Sequence, residues 1–258
     1  MTVGESDRAP LVLKIGGNQV EDEAFLSEFA STVQKLSAEH VIIVVHGGGK
    51  EIADLHGQLN VTFQTIEGLR VTSEESLRLV EMVLNGSVNT RLVRWLVNAG
   101  VDAVGLNGVD MGLVRVAPLS VNGQGLGRVG KIRYVNGEAL LQLTDLGLTP
   151  VISPVSLGED GYAYNVNADH VAAAVARAVE ASRLIFVSNV PGVQVTGRTI
   201  RALTLQQIEG LIKDGHITGG MIPKVRSAME AVISGVQQAV ITDLAGLMRD
   251  NGTAVVKG

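Results

Sequence analysis

Two lysines stand beside glycine turns in positions where a phosphate could be held. Lys14 lies at the carboxyl end of the apolar run Leu11 to Ile15 and is followed by Gly16, Gly17 and Asn18. Lys224 follows Thr218-Gly219-Gly220-Met221-Ile222-Pro223 and enters a helical pattern. Glycine lets backbone N–H groups come close to a ligand, and a lysine ammonium supplies a compact charge for a phosphate. A third turn, His46-Gly47-Gly48-Gly49-Lys50, separates Val41 to Val45 from an amphipathic segment. Free N–H donors and the positive end of a helix dipole meet there, which suits an anion. Between these motifs lies Asn165-Val166-Asn167-Ala168-Asp169-His170.

Each motif also has a plainer reading. Lys14 could be a solvated lysine beside a turn, and Lys224 could bend into solvent. A lysine in the first turn of a helix opposes the macrodipole by roughly 0.3–1 kcal/mol, so an anion nearby gives Lys224 a better reason to be there. His46 reads as a buried imidazole satisfied by backbone rather than as a catalytic group. Asn167 suits a helix cap. Asp169 could complement the dipole of that helix or lie between the two lysines and hold both in place, since two cations facing one phosphate would repel each other.

These residues need a scaffold that gathers strand ends. Short β-branched runs at Leu11 to Ile15, Val41 to Val45, Ala103 to Leu106, Pro150 to Ser153, Leu184 to Ser188 and Ala239 to Thr242 are mostly separated by helix-length periodic segments. The alternation predicts an α/β fold with a mainly parallel sheet, in which ligands collect at the carboxyl ends of the strands. Helices are predicted over Asp22 to Ala38, Lys50 to Gln58, Ser73 to Asn98, Ala168 to Glu180, Thr204 to Asp214 and Pro223 to Ser234, the last with Pro223 as its opening residue. Val114 to Val135 and Glu159 to Asn165 read as β-hairpin insertions. With no linker and no internal repeat, the chain reads as one domain over 1–258. Its amino-terminal lobe spans 10–155 and its carboxyl-terminal lobe 156–258, with the division near Val155 to Tyr164.

Composition narrows the partners. A formal charge of −5 and the absence of any block of lysine and arginine argue against nucleic acid. With no cysteine, disulfides and thiolate metal sites are excluded. The first ten residues lack the charged start and apolar run of a signal peptide, and the longest apolar runs are far short of the roughly 20 residues that span a bilayer. A cytoplasmic protein with no membrane segment is therefore expected. The glycine turns match neither G-x-G-x-x-G nor G-x-x-x-x-G-K-[ST], so dinucleotide enzymes and Walker-type ATPases lose ground.

Taken in order, L-V-L-K-I-G-G, V-V-H-G-G-G, G-L-R-V-T, N-V-N-A-D and G-G-M-I-P-K-V resemble the amino acid kinase family from Leu11 onward. The branch that phosphorylates the side-chain carboxylate of N-acetyl-L-glutamate, in arginine biosynthesis, is the most similar. The resemblance implies a three-layer α/β/α sandwich around a mostly parallel, eight-stranded sheet, with the amino-acid substrate on the amino-terminal lobe and ATP on the carboxyl-terminal lobe. It places Lys14 and Lys224 on either side of the transferred phosphoryl group, with Asp169 organising both. Gly16, Gly17 and Gly48 would donate backbone N–H bonds to that group. Gly48 and Gly49 would border the substrate, Arg70 would grip its α-carboxylate, and Asn165 would bind its acetylated part. Ser188, Asn189, Val190, Pro191 and Gly192, with His216, Ile217 and Thr218, would contact the nucleotide. Magnesium would arrive on the ATP phosphates, with no protein ligand named.

Ser188-Asn189-Val190-Pro191-Gly192 replaces the S-D-V-x-G of many members and also resembles kinases acting on aminoadipate or glutamate linked to a carrier protein, which makes these the alternative. A catalytically silent sensor on the same fold is the alternative of another class, and the joint retention of Lys14, Asp169 and Lys224 argues against it. Because only about ten residues precede the first strand, the resemblance implies an arginine-insensitive homodimer, paired through Ser73 to Asn98.

Overall fold

The computed structural model describes residues 9–17, 19–66 and 69–258, with Leu69 and Arg70 described in their backbone only. The strands are β1 (Leu11–Ile15), β2 (Ile42–His46), β3 (Thr65–Ile66), β4 (Leu69–Arg70), β5 (Ala103–Gly108), β6 (Val114–Val121), β7 (Gln124–Val135), β8 (Thr149–Gly158), β9 (Ala163–Asn165), β10 (Arg183–Val187), β11 (Gln194–Val195), β12 (Arg198–Thr199), β13 (Ala202–Thr204), β14 (Ala239–Thr242) and β15 (Thr253–Val256). The α-helices are α1 (Glu23–Leu36), α2 (Gly49–Gln58), α3 (Glu74–Glu81), α4 (Asn89–Asn98), α5 (Gly137–Asp145), α6 (Ala168–Ala178), α7 (Leu205–Lys213), α8 (Met221–Ile233) and α9 (Leu244–Met248).

Among the described residues the main sheet has eleven strands in the order β13-β15-β14-β10-β1-β2-β8-β6-β7-β9, with β5 also on β8. The sheet is larger than the eight strands implied by resemblance. The difference is β6, β7 and β9, the strands of the two hairpin insertions, which join its edge through the long strand β8. The centre is parallel: β1 pairs in register with β10 on one side and β2 on the other. This sheet is continuous through both regions that the sequence divides into lobes.

Alternation along the strands sorts two cores. Val12, Ile43 and Val45 pack with Val171, Ala172 and Val175 of α6 and Val225 and Ala228 of α8. Leu11, Leu13, Ile15, Ile42 and Val44 pack on the opposite face with Leu26 and Phe29 of α1 and Leu92 and Leu96 of α4. Successive side chains of a strand leave by opposite faces, so Lys14 shares the face of Val12 and points into the layer of α6 and α8.

Helix starts follow their caps. Asp22 accepts from Ala24 N at 2.9 Å and Phe25 N at 3.2 Å, and Ser73 accepts from Ser76 N at 3.0 Å. Thr204 and Gln207 form a reciprocal capping box on α7. The short strands β3, β4, β11, β12, β13 and β15 were not anticipated, and three details of the helices differ from the sequence reading. Ser73 to Asn98 is not one uniform α-helix, because α3 and α4 are joined by a π-helical segment, Met82–Val88. Helices α5 and α9 were not anticipated; each is short, and α5 buries only Gly137 and Leu140. Helix α8 begins at Met221, so Pro223 is its third residue rather than its first. The N–H that proline lacks is one of the first-turn donors without an intrahelical partner in either case.

Candidate active site

At the carboxyl ends of β1 and β10, a cavity of about 550 Å³ is lined by Lys14, Gly16, Gly17, Asp169, Ser188, Asn189 and Lys224, among others. Register explains much of this. Lys14 is paired with Phe186 on β10 and Val45 on β2, so the turns that follow β1, β2 and β10 begin at nearly the same level. Gly47 N donates to Ile15 O at 3.1 Å, tying the first two turns together. A Cβ on Gly17 would stand 2.6 Å from Gly49 N, and a Cβ on Gly48 would stand 2.6 Å from Leu84 Cδ2. Both positions are glycine because backbone, or a buried leucine, occupies the space.

Asp169 is the second residue of α6, whose N-cap Asn167 accepts from Asp169 N at 2.7 Å. Its Oδ1 lies 2.6 Å from Lys14 Nζ, with side-chain exposures of 22% and 17%. Its Oδ2 accepts from Ser227 Oγ at 2.8 Å. Ser227 is on α8, three residues beyond Lys224, so the carboxylate joins β1 to the helix that carries the second lysine. Lys224 itself donates to Asn189 Oδ1 at 3.4 Å. The carboxylate therefore holds Lys14 directly, while Lys224 is positioned by its helix and by Asn189.

His46 is fully buried, and burial lowers its pKa to about 4. The neutral ring has one donor and one acceptor. Asn89 Nδ2 approaches Nε2 at 3.0 Å and also donates to Val151 O at 2.9 Å, so Nδ1 carries the proton and donates to Gly47 O at 3.0 Å. His46 is a buried imidazole satisfied by backbone, as its sequence reading anticipated, and it also meets Asn89, a partner that sequence reasoning missed.

The other sequence-predicted residues are spread around this centre. Ser188 closes its own turn, with Oγ accepting from Val190 N at 3.2 Å. Of this segment, Ser188 and Asn189 line the cavity. His216 and Thr218 are exposed on the turn between α7 and α8, whereas the Ile217 side chain belongs to the core at 2% exposure. The Arg70 side chain lies outside the described residues. Its backbone pairs in the β3–β4 hairpin, and Thr72 bridges to Gly127. Two residues beyond Gly127, Val129 pairs with Asn165. Strand β7 thus brings the Arg70 segment and Asn165 to the same neighbourhood.

The family model described as "Amino acid kinase family" matches residues 9–243. The chain belongs to the amino acid kinase family. Like its relatives, this amino acid kinase is an enzyme that draws its phosphoryl group from ATP. It is 50% identical over 250 residues to the acetylglutamate kinase of Roseiflexus sp. (strain RS-1), covering 97% of this chain and 94% of that one. It is 42% identical over 243 residues to the acetylglutamate kinase of Geobacillus kaustophilus (strain HTA426), covering 94% and 93%. A Streptococcus mutans UA159 protein of known crystal structure superposes with a TM-score of 0.79 at 32% identity, covering 96% and 98%. No described helix of this amino acid kinase is long and apolar enough to cross a membrane.

Proposed function

We propose that this kinase transfers the γ-phosphoryl group of ATP to the side-chain carboxylate of N-acetyl-L-glutamate, giving N-acetyl-L-glutamyl 5-phosphate and ADP for arginine biosynthesis. The observation that carries the reading is the pairing of Lys14 with Asp169 in the cavity that also holds Lys224. The names of relatives up to 50% identical support this acceptor.

A carboxylate oxygen attacks the γ-phosphorus, one O–P bond forms, and the bond to the β–γ bridging oxygen breaks with its electrons leaving on ADP. The acceptor is ionised near pH 7, so no general base is required. Catalysis of this kind rests on positioning and on stabilising charge as it develops on the phosphoryl oxygens. Lys14 and Lys224 supply that charge from two elements, and Gly16, Gly17 and Gly48 offer backbone N–H groups. Arg70, with a planar fork suited to a carboxylate, takes the α-carboxylate of the acceptor, and Asn165 its acetylated part. Gly49 borders the acceptor. The segments at Ser188 to Gly192 and His216 to Thr218 serve the nucleotide. Magnesium comes on the ATP phosphates. No protein ligand is named for it: both carboxylates lining the cavity are already engaged, Asp169 with Lys14 and Ser227 and Asp22 as the cap of α1, which fits a metal carried by the nucleotide. Homodimerisation along α3 to α4 is supported by the exposure of Met82 at 63% and Val97 at 52%.

Incubation with Mg-ATP and a panel of acceptors, with the acyl phosphate trapped by hydroxylamine, tests the reading. N-acetyl-L-glutamate is expected to give the hydroxamate, and Lys14→Ala or Lys224→Ala to lower kcat by about 10²–10³-fold. If only free glutamate, carbamate or a carrier-linked substrate reacts, the acceptor assignment fails. Full turnover in both lysine variants would end the proposed mechanism.

A further inference from the structure

The Gly16 N–H is already engaged. Gln19 Oε1 accepts it at 3.0 Å, and Gln19 lines the same cavity as Lys14 and Lys224. Only the oxygen of a carboxamide can accept from an N–H, so the orientation of the Gln19 amide follows from this bond. Its Nε2 is then buried with no partner among the described residues. The side chain thus satisfies a backbone donor while leaving its own donor unsatisfied, which weakens its hold on the position.

A neutral amide oxygen on that N–H imitates, without the charge, the bond a phosphoryl oxygen would make there. One N–H serves one acceptor in good geometry, so the two compete. A charged oxygen makes roughly twice as strong a bond and prevails. We propose that Gln19 is a placeholder for a γ-phosphoryl oxygen at the Gly16 N–H, displaced as the triphosphate seats, and that it sets the affinity for ATP relative to ADP. The inference rests on the placement of the transferred phosphoryl group between Lys14 and Lys224 proposed above. ADP lacks the competing oxygens and leaves Gln19 where it is.

Equilibrium binding of Mg-ATP without acceptor, and of Mg-ADP, to the full chain and to Gln19→Leu and Gln19→Glu tests it. Gln19→Leu is expected to tighten ATP about twofold to tenfold and to leave ADP unchanged. Gln19→Glu keeps the shape but places an anion where the phosphoryl oxygen must sit, and is expected to weaken ATP at least about tenfold while affecting ADP less. Weaker ATP binding by Gln19→Leu would make the amide a donor to the nucleotide and overturn the proposal. Equal shifts for ATP and ADP, or no shift, would overturn it too. Lys14→Ala separates the two levels: unimpaired turnover removes the phosphoryl placement itself, whereas lost turnover beside inert Gln19 variants removes only the placeholder.

Discussion

His46, with no exposed surface, has exchanged water for Gly47 O and the Asn89 amide. A histidine in the unfolded chain takes its proton near pH 6.5, and this one only near about 4. Below pH 6.5 the unfolded state binds more protons than the folded state. The stability gained by burying the neutral ring is therefore complete above that pH and is lost progressively as pH falls toward 4. The loss is on the order of 3 kcal/mol. Melting temperatures between pH 7.5 and 5 are expected to fall in the parent and to fall less steeply in His46→Gln; parallel slopes would rule His46 out as the source. Lys14, Lys224 and Asp169 could be read from sequence because each lies beside a glycine turn or a cap, which is local information. Asn89 and Ser227 could not, because they meet His46 and Asp169 across 43 and 58 residues of chain. Gln19 is only three residues from Gly16, yet nothing in its type says its side chain would fold back on that N–H.

At the scale of elements, the π-helical segment Met82–Val88 carries Leu84 and Val88 against Gly48. Apolar residues at Leu84, Val88 and Leu92 carry helical spacing across the widened turn, and only Asn85-Gly86-Ser87 marks its place in the sequence. Asn85 accepts a hydrogen bond from Ser153 there, on the central strand β8. Such segments interrupt α-helices frequently at functional sites. Gly48→Ala is expected to cost about 1–3 kcal/mol through overpacking against Leu84, and to lower kcat by shifting the turn. Leu84→Ala is destabilising on its own, but in the Gly48→Ala background it is expected to cost less. The coupling should be at least about 0.5 kcal/mol in a denaturation cycle, and simple additivity would mean that the two residues do not compete for the same space. The longer helices and the β-branched strands were legible from caps and patterning; α5, although as long as α7, buries only Gly137 and Leu140, and α9 has only five residues, so neither displays a stripe.

For the whole molecule, the alternation of strands and helices gave the layers and the parallel centre, while the way the hairpins join the sheet through β8 depended on long-range pairing that no local pattern encodes. The proposed homodimer belongs to this scale as well. Met82→Asp would place a charge in an apolar contact between copies, so sedimentation should find the parent at twice the mass of one chain and the variant at one chain. A monomeric parent would remove the proposal.

Strand β1 lies between β2 and β10. Its partner on one side, β2, leaves the ribosome soon after it. Its partner on the other, Arg183–Val187, emerges only after every element from α1 to α6 has been made. During synthesis one edge of β1 therefore stays unpaired until β10 emerges, and Lys14 acquires its full surroundings only long after it has itself been made. A chain interrupted before residue 183 would carry the first lysine and its glycines, and even Asp169, on an unclosed sheet with an open edge that invites aggregation.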